Sequence, residues 1–141
     1  MNVAEIKQSG SINVLAATLY GEARGEPIEG LIACGCVVRN RVLAKQWDDN
    51  YVDVCLQPKQ FSCWNDGDPN RAMCIKALMR GRRNDSAYVQ CRWVAHGIIY
   101  NMTIDNTNGA NHYFNPTIVW PDWAANFHPV AKHGSHLFFR L

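Results

Sequence analysis

The chain has 141 residues, 48% hydrophobic and 18% charged, with a formal net charge of +2. That length supports a real core and that composition excludes an intrinsically disordered chain. No apolar run reaches the ~20 residues that span a bilayer, so no stable membrane insertion is expected. No repeat, linker or low-complexity tract divides the sequence, and one domain over residues 1–141, acting as a monomer, is the simplest organisation.

The first clear helix starts near Ser11, a plausible N-cap, with Val14, Leu15, Thr18 and Leu19 on one face. It runs into Leu19–Pro27, LYGEARGEP, where Glu22 and Glu26 stand four residues apart, about one helical turn. Gly25 and Pro27 end the helix, which places at least one glutamate near the mouth of a cleft. A second helix begins at Pro27 and carries Ile28, Leu31, Ile32, Val38 and Val42 at helical spacing. Its small residues Ala33, Gly35 and Cys36 allow another element to approach closely. The stretch from Asp48 to Pro69 is turn-rich and reads as an irregular excursion, a length of loop that usually carries function. A third helix follows, capped by Asp68 with Pro69 in its first turn, and ends near Gly81. A fourth starts at Asp85 or Ser86 and carries Tyr88, Val89, Trp93, His96 and Tyr100. The remaining third is aromatic and broken by Pro116, Pro121 and Pro129, which predicts short strands or a small hairpin lining one wall. The fold class expected is α+β, mostly helical.

Six cysteines are present, none in a C-x-x-C pair or a common zinc spacing. Cys34 and Cys36 read as buried thiols, while Cys55, Cys63, Cys74 and Cys91 are able to pair in an oxidising compartment. Arg80, Arg82, Arg83 and Arg92 form a basic cluster that reads first as a solvated helix end. Contact with an anionic polymer is its functional alternative; no nucleic-acid-binding motif accompanies it, so no nucleic-acid partner is expected.

Several separate stretches share one resemblance. The run from Leu15 to Val42, with Gly-Glu-Ala-Arg-Gly-Glu-Pro followed by Glu-Gly and a small-residue helix ending Asn-Arg-Val, resembles the opening of the spore-cortex-lytic type of cell wall hydrolases, the SleB/CwlJ family. Gln57-Pro58-Lys59-Gln60-Phe61-Ser62, Tyr113-Phe114-Asn115-Pro116 and Gly134-Ser135-His136-Leu137-Phe138 are similar to later blocks of that family, in its order. The resemblance implies an enzyme that cleaves peptidoglycan glycan strands between N-acetylmuramic acid and N-acetylglucosamine, with a fold related to lysozyme-like lytic transglycosylases. It matches Glu22 to the family's catalytic glutamate and Glu26 to a second, supporting one. Asn111-His112 departs from the small-plus-apolar pair expected before the Tyr-Phe-Asn-Pro segment. Met1–Asn13 also lacks the basic and apolar regions of a secretion signal, and no wall-binding domain is visible. Those departures look more like a bacteriophage endolysin, made in the bacterial host cytoplasm and released to the wall through a membrane lesion at lysis.

Glycosidic cleavage needs a proton on the leaving oxygen, and a carboxylic acid kept protonated by apolar burial supplies it. A hydrolase of the usual kind needs a second carboxylate. A lytic transglycosylase does not, because the sugar's own 6-hydroxyl attacks and closes a 1,6-anhydro ring, with no cofactor and no metal. Glu22 is the one acid in a marked motif, which favours that mechanism. Asp66, Asp68, Asp105 and Asp122 are the candidate second acids of the alternative, a hydrolytic muramidase. A non-catalytic peptidoglycan-binding module is the alternative outside enzymes. Gln60, Phe61 and Ser62 read as a substrate-side loop, with Phe61 open to a core role. Tyr113, Phe114 and Asn115 pair aromatic faces with an amide, which suits sugars, and strand alternation buries one of the two rings. Trp64, Trp120 and Trp123 offer further stacking surface or packing. His128, His133 and His136 make only a loose zinc pattern, and His136 reads as a packed residue holding the last strand. An ordinary helix-end pair, Glu22 and Glu26 bonded to Arg24 or Arg39, is the structural alternative for the two glutamates.

Overall fold

A computed structural model describes all residues 1–141. Six helices come first in the chain order: α1 Val3–Lys7, α2 Ser11–Ala23, α3 Ile28–Leu43, α4 Tyr51–Leu56, α5 Pro69–Arg80 and α6 Ser86–Ile99. Three strands close the chain, β1 His112–Phe114, β2 Ala131–His133 and β3 His136–Phe139, and two 3₁₀ turns lie at Ser62–Trp64 and Asp122–Asn126. The class is α+β and mostly helical, as expected.

α2 is the central helix, with α3, α4, α5 and α6 packed around it. Every residue from Val14 to Tyr20 is buried, so the helix is enclosed on all sides rather than on the single face that the spacing predicts. The reason is composition: Val14–Leu19 holds no charged residue, and its one hydroxyl, Thr18, donates to the Val14 carbonyl at 2.7 Å. Ser11 opens the helix from inside, and the cap position belongs to Gly10. Pro27 likewise sits just before α3 instead of within it. α3 and α6 meet where the small residues allow it, since a Cβ on Gly35 would stand 2.9 Å from Ile98 Cγ1.

The stretch from Asp48 to Pro69 is more regular than expected. Asn50 caps α4 by accepting from the Asp53 N–H, and the helix Tyr51–Leu56 lies inside the predicted excursion. The short α1 also escapes a periodicity search, because five residues are held by a capping box between Asn2 and Glu5. α5 and α6 begin as predicted: Asp68 accepts from the Asn70 N–H, and Asp85 accepts from the Ala87 and Tyr88 N–H groups. Gly81 closes α5 in the left-handed conformation. α6 buries Tyr88, Cys91, Val94, Ala95 and Ile98 and leaves Val89, Trp93 and Tyr100 exposed.

The strands form one antiparallel sheet in the order β1-β3-β2. Tyr113 pairs with Phe138 and Phe114 with Leu137. Alternation then separates the faces: Phe138 joins the main core with Tyr113 against it, while Phe114 and Phe139 build a small satellite with Ala124 and Trp123. All six cysteines are buried and free, so none of the bridges open to Cys55, Cys63, Cys74 and Cys91 is formed.

Candidate active-site cleft

A cleft of about 590 Å³ opens between the end of α2, the Lys59–Ser62 loop and β1. It gathers Glu22, Glu26, Gln60, Phe61, Ser62, Tyr113, Phe114 and Asn115, all of the residues nominated for the one-glutamate reading.

The two glutamates reach it by different routes. α2 stops at Ala23, and Arg24 already has an extended ψ of 141°. Gly25 then takes φ +89°, a conformation glycine adopts without strain. Glu22 therefore points from the last helical turn, and Glu26 from the loop beyond it, so they do not share a helical face.

Glu22 Oε1 accepts from the Cys63 backbone N–H at 3.0 Å. That donor depends on Gly21. A Cβ there would lie 2.5 Å from Cys74 Sγ and 2.6 Å from Cys63 Cβ, so only glycine lets the Ser62–Trp64 turn close on α2. Trp64 pins the same turn, its Nε1–H donating to Thr18 Oγ1 at 2.9 Å. Burial raises the Glu22 pKa above the ordinary carboxylate value; hydrogen bonds from Cys63 and Ser62 oppose the rise, and the charge of Asp68 adds to it. The net direction is upward, the direction a general acid needs near neutral pH.

Glu26 has a different setting. The Ser135 N–H and hydroxyl approach its two oxygens at 3.3 Å. His136 Nδ1 stands 3.0 Å from Oε1, close enough for an ion pair when the ring is protonated but off the line of a hydrogen bond. Gly134, at φ +55°, makes the β2–β3 turn and leaves room for the carboxylate, since a Cβ there would lie 2.7 Å from Glu26 Oε2. Glu26 thus fastens the end of α2 to the sheet. Neither glutamate is bonded to Arg24 or Arg39. Arg24 donates to the Tyr20 carbonyl and Asn70 Oδ1, and Arg39 to the Thr103 carbonyl.

Around the acid, Tyr113 is part-exposed while its hydroxyl packs inward; burial, with Cys34, Glu22 and Cys63 nearby, pushes its pKa well up, so it stays a neutral phenol. Phe114 is the buried ring of the pair. Asn115 is less free than expected, because its Oδ1 accepts from both the N–H and the hydroxyl of Thr117. Phe61 takes the core role left open for it, at 4% exposure, with its ring beneath the Arg41 guanidinium. Gln60 accepts from Arg41 Nη1 at 3.2 Å.

Sequence reasoning missed Arg24, Arg41, Lys59, Ile118, Val119 and Ser135 as lining residues. For Arg41 a signal existed: it lies three residues after Val38, on the face that the spacing assigns to the core. His136 lines the cleft as well as packing the last strand. Trp64 and Trp123 are packing residues, while Trp120 is exposed beside Phe114. The candidate second acids lie outside the cleft. Asp66 is fully exposed beside Arg71, and Asp68 caps α5. Asp105 ties its own loop by accepting from Thr107, Gly109 and Asn40, and Asp122 is exposed in the second 3₁₀ turn. His128, His133 and His136 do not converge on a common point: His133 Nε2 pairs with the Asn106 carbonyl, and His136 faces Glu26. The unexpected His112 sits between Trp47 and Trp123; burial and then the charge of Arg41 lower its pKa to about 4, so a neutral ring occupies the apolar position.

Comparison with known proteins follows the same lines. The chain is similar to the spore cortex-lytic enzyme of Bacillus subtilis (strain 168), 27% identical over an alignment of 136 residues that covers 92% of this chain and 37% of that one. It is 28% identical to the spore cortex-lytic enzyme of Bacillus cereus over 97% of this chain and 47% of that one. The chain spans less than half the length of these curated relatives. Two solved structures match nearly end to end. One is the catalytic domain of the germination-specific lytic transglycosylase SleB from Bacillus anthracis, with TM-score 0.69, 25% identity, and 92% and 93% of the two chains covered. The other is the catalytic domain of the Bacillus cereus SleB protein, with TM-score 0.64, 26% identity, and 94% and 91% covered. A model of the Cell Wall Hydrolase family matches residues 25–139, which is most of the chain and every cleft residue from Gly25 onward. This protein belongs to the cell wall hydrolase family.

Proposed function

We propose that the protein is a peptidoglycan lytic transglycosylase that cleaves the glycan strand between N-acetylmuramic acid and N-acetylglucosamine, with Glu22 as its single acid and base. The observation that carries this reading is the cleft's carboxylate inventory. Glu22 is enclosed and held toward its protonated form, and the other carboxylate, Glu26, is tied to Ser135 and His136. A two-carboxylate hydrolase lacks a free partner here. In the proposed cycle Glu22 donates its proton to the leaving glycosidic oxygen as the C1–O4 bond breaks. The same carboxylate then takes the proton of the muramoyl 6-hydroxyl as that oxygen bonds to C1, which restores Glu22 and leaves a 1,6-anhydro end. The neutral phenol of Tyr113 and the apolar Phe114 side keep the acid in a setting that favours its uncharged form.

The test is mass spectrometry of muropeptides from digested sacculi, with Glu22→Gln alongside. Anhydro-muramoyl ends from the wild type, reduced by about 100-fold or more in the variant, are expected for loss of a general acid–base residue. Reducing ends would make the enzyme a muramidase and turn attention to Glu26. Equal product from both proteins would remove Glu22 from the mechanism.

The proposal extends to an endolysin role in the bacterial host, acting as a monomer on the wall after the membrane is breached. No helix is long and apolar enough to cross a membrane, which is compatible with dependence on a separate lesion. Cells expressing the protein should lyse on membrane permeabilisation, and cells expressing Glu22→Gln should not; lysis without permeabilisation would refute that role.

A further inference from the structure

Three cations in the cleft have no acidic partner. Arg24, Arg41 and Lys59 all line it, and none of them takes part in any of the protein's five ion pairs. Arg41 is the most telling. It is only 5% exposed, and its guanidinium lies over the rings of Phe61 and Trp47, each at 5.4 Å. Its hydrogen bonds go to neutral acceptors, the Asn111 carbonyl at 2.8 Å and Gln60 at 3.2 Å. A buried cation without a counter-ion is costly, and burial lowers the pKa of Arg41 accordingly. Lys59 is exposed and held at φ +66°, an uncommon conformation for a side chain with a Cβ, at the head of the loop that carries Gln60 and Ser62. Arg24, two residues beyond Glu22, lies over the Tyr20 ring, and its hydrogen bonds go to the neutral Tyr20 carbonyl and Asn70 Oδ1. The acids in the cleft do not answer this charge: Glu26 is taken up by the sheet, and Glu22 works as an acid only while it is uncharged.

We propose that Arg24, Arg41 and Lys59 recognise free carboxylates on the peptide stems of the glycan strand, so that the enzyme selects walls whose stems are not amidated. This rests on the peptidoglycan reading above and adds the chemotype to it. A planar guanidinium matches a carboxylate in two parallel bonds, and an exposed ammonium on the loop supplies a longer-range attraction that salt screens. The same cations would accept phosphate, so the substrate must separate the two sources.

The experiment uses one batch of sacculi stripped of attached phosphate polymers, half of it amidated with carbodiimide and ammonia so that stem carboxylates become amides. Glycan product is measured on both halves, and co-sedimentation of Glu22→Gln protein with both halves reads recognition without chemistry. Expected are kcat/KM and binding about tenfold lower on the amidated wall, and a preference that shrinks as salt rises. Lys59→Met, at an exposed position where folding is not at stake, should narrow the preference to about threefold, and Lys76→Met, exposed on α5 and outside the cleft, should leave it as it is. Arg41→Lys should keep more of the preference than Arg41→Met. Equal binding and turnover on the two walls would overturn the inference, as would a preference seen only on a second batch that keeps its phosphate polymers. The identity of the product ends, anhydro or reducing, judges the transglycosylase reading separately.

Discussion

Gly21→Ala separates packing from helix propensity beside Glu22, the proposed acid. Gly21 lies inside α2, where alanine should stabilise a helix by about 1 kcal/mol on propensity alone. The surroundings predict the opposite sign. An added Cβ would stand 2.5 Å from Cys74 Sγ, 2.6 Å from Cys63 Cβ and 2.9 Å from Cys63 Sγ, all inside contact distance and all in the buried core. Overpacking of this kind costs about 1–3 kcal/mol, so the net effect is a loss of about 0–2 kcal/mol, or up to roughly 6 °C in melting temperature for a chain of this size. The displaced element is the Ser62–Trp64 turn, which carries the Cys63 N–H donor to Glu22. That bond lowers the Glu22 pKa, so its loss raises it. The alkaline limb of the kcat/KM profile, which reports the acid, should therefore move to higher pH. Cys74→Ala removes the nearest atom, and the double variant should lose less than the two single losses added together. Thermal melts and pH–rate profiles on the four proteins give the answer. A Gly21→Ala protein that melts higher, with an unmoved pH profile, would refute the account of how Cys63 reaches Glu22.

His112 should make the protein acid-sensitive. Its folded pKa, about 4, lies below the ordinary histidine value of 6.5, so the unfolded chain takes the proton first and stability falls as pH drops from 6.5 towards 4, with no contribution above 6.5. With solvent screening of its part-exposed ring discounted, the loss is about 1 kcal/mol, and denaturant midpoints for His112→Gln across that range should be flatter than for the wild type. The six buried thiols should stay silent to an aromatic disulfide reagent in the native protein and all react after unfolding; burial raises the pKa of Cys55 and Cys91 to about 12. Trp64→Phe removes the donor to Thr18 and should cost about 1–2 kcal/mol in a urea melt, with a fall in activity because the turn below Glu22 loosens.

The fold was legible where a side-chain cap stood in front of a helix long enough to show its own period. Asp68-Pro69 and Asp85-Ser86 start α5 and α6 at the predicted residues, because side-chain caps act within two or three positions and need no tertiary partner. α4 was not legible, since its six residues are too few for a period and are held by packing against α2 and α3. The central position of α2 was only half visible: an unbroken apolar run says that a helix is buried, and the number of elements around it follows from the rest of the chain.

The site divides along the same line. Glu22 and the Gln60, Tyr113 and Phe114 segments stood out as motifs, and the cleft gathers them. The roles within the motif were not readable from spacing. Glu22 and Glu26 sit four residues apart and look equivalent, yet the helix ends between them, so one carboxylate receives a backbone N–H from a turn 41 positions away and the other a serine 109 positions away. Long-range donors of that kind leave their trace in small residues. Gly21 admits the turn that serves Glu22, and Gly134 admits the Glu26 carboxylate itself, so in this cleft the glycines record which glutamate meets the turn, as the proposed acid, and which was fastened to the sheet.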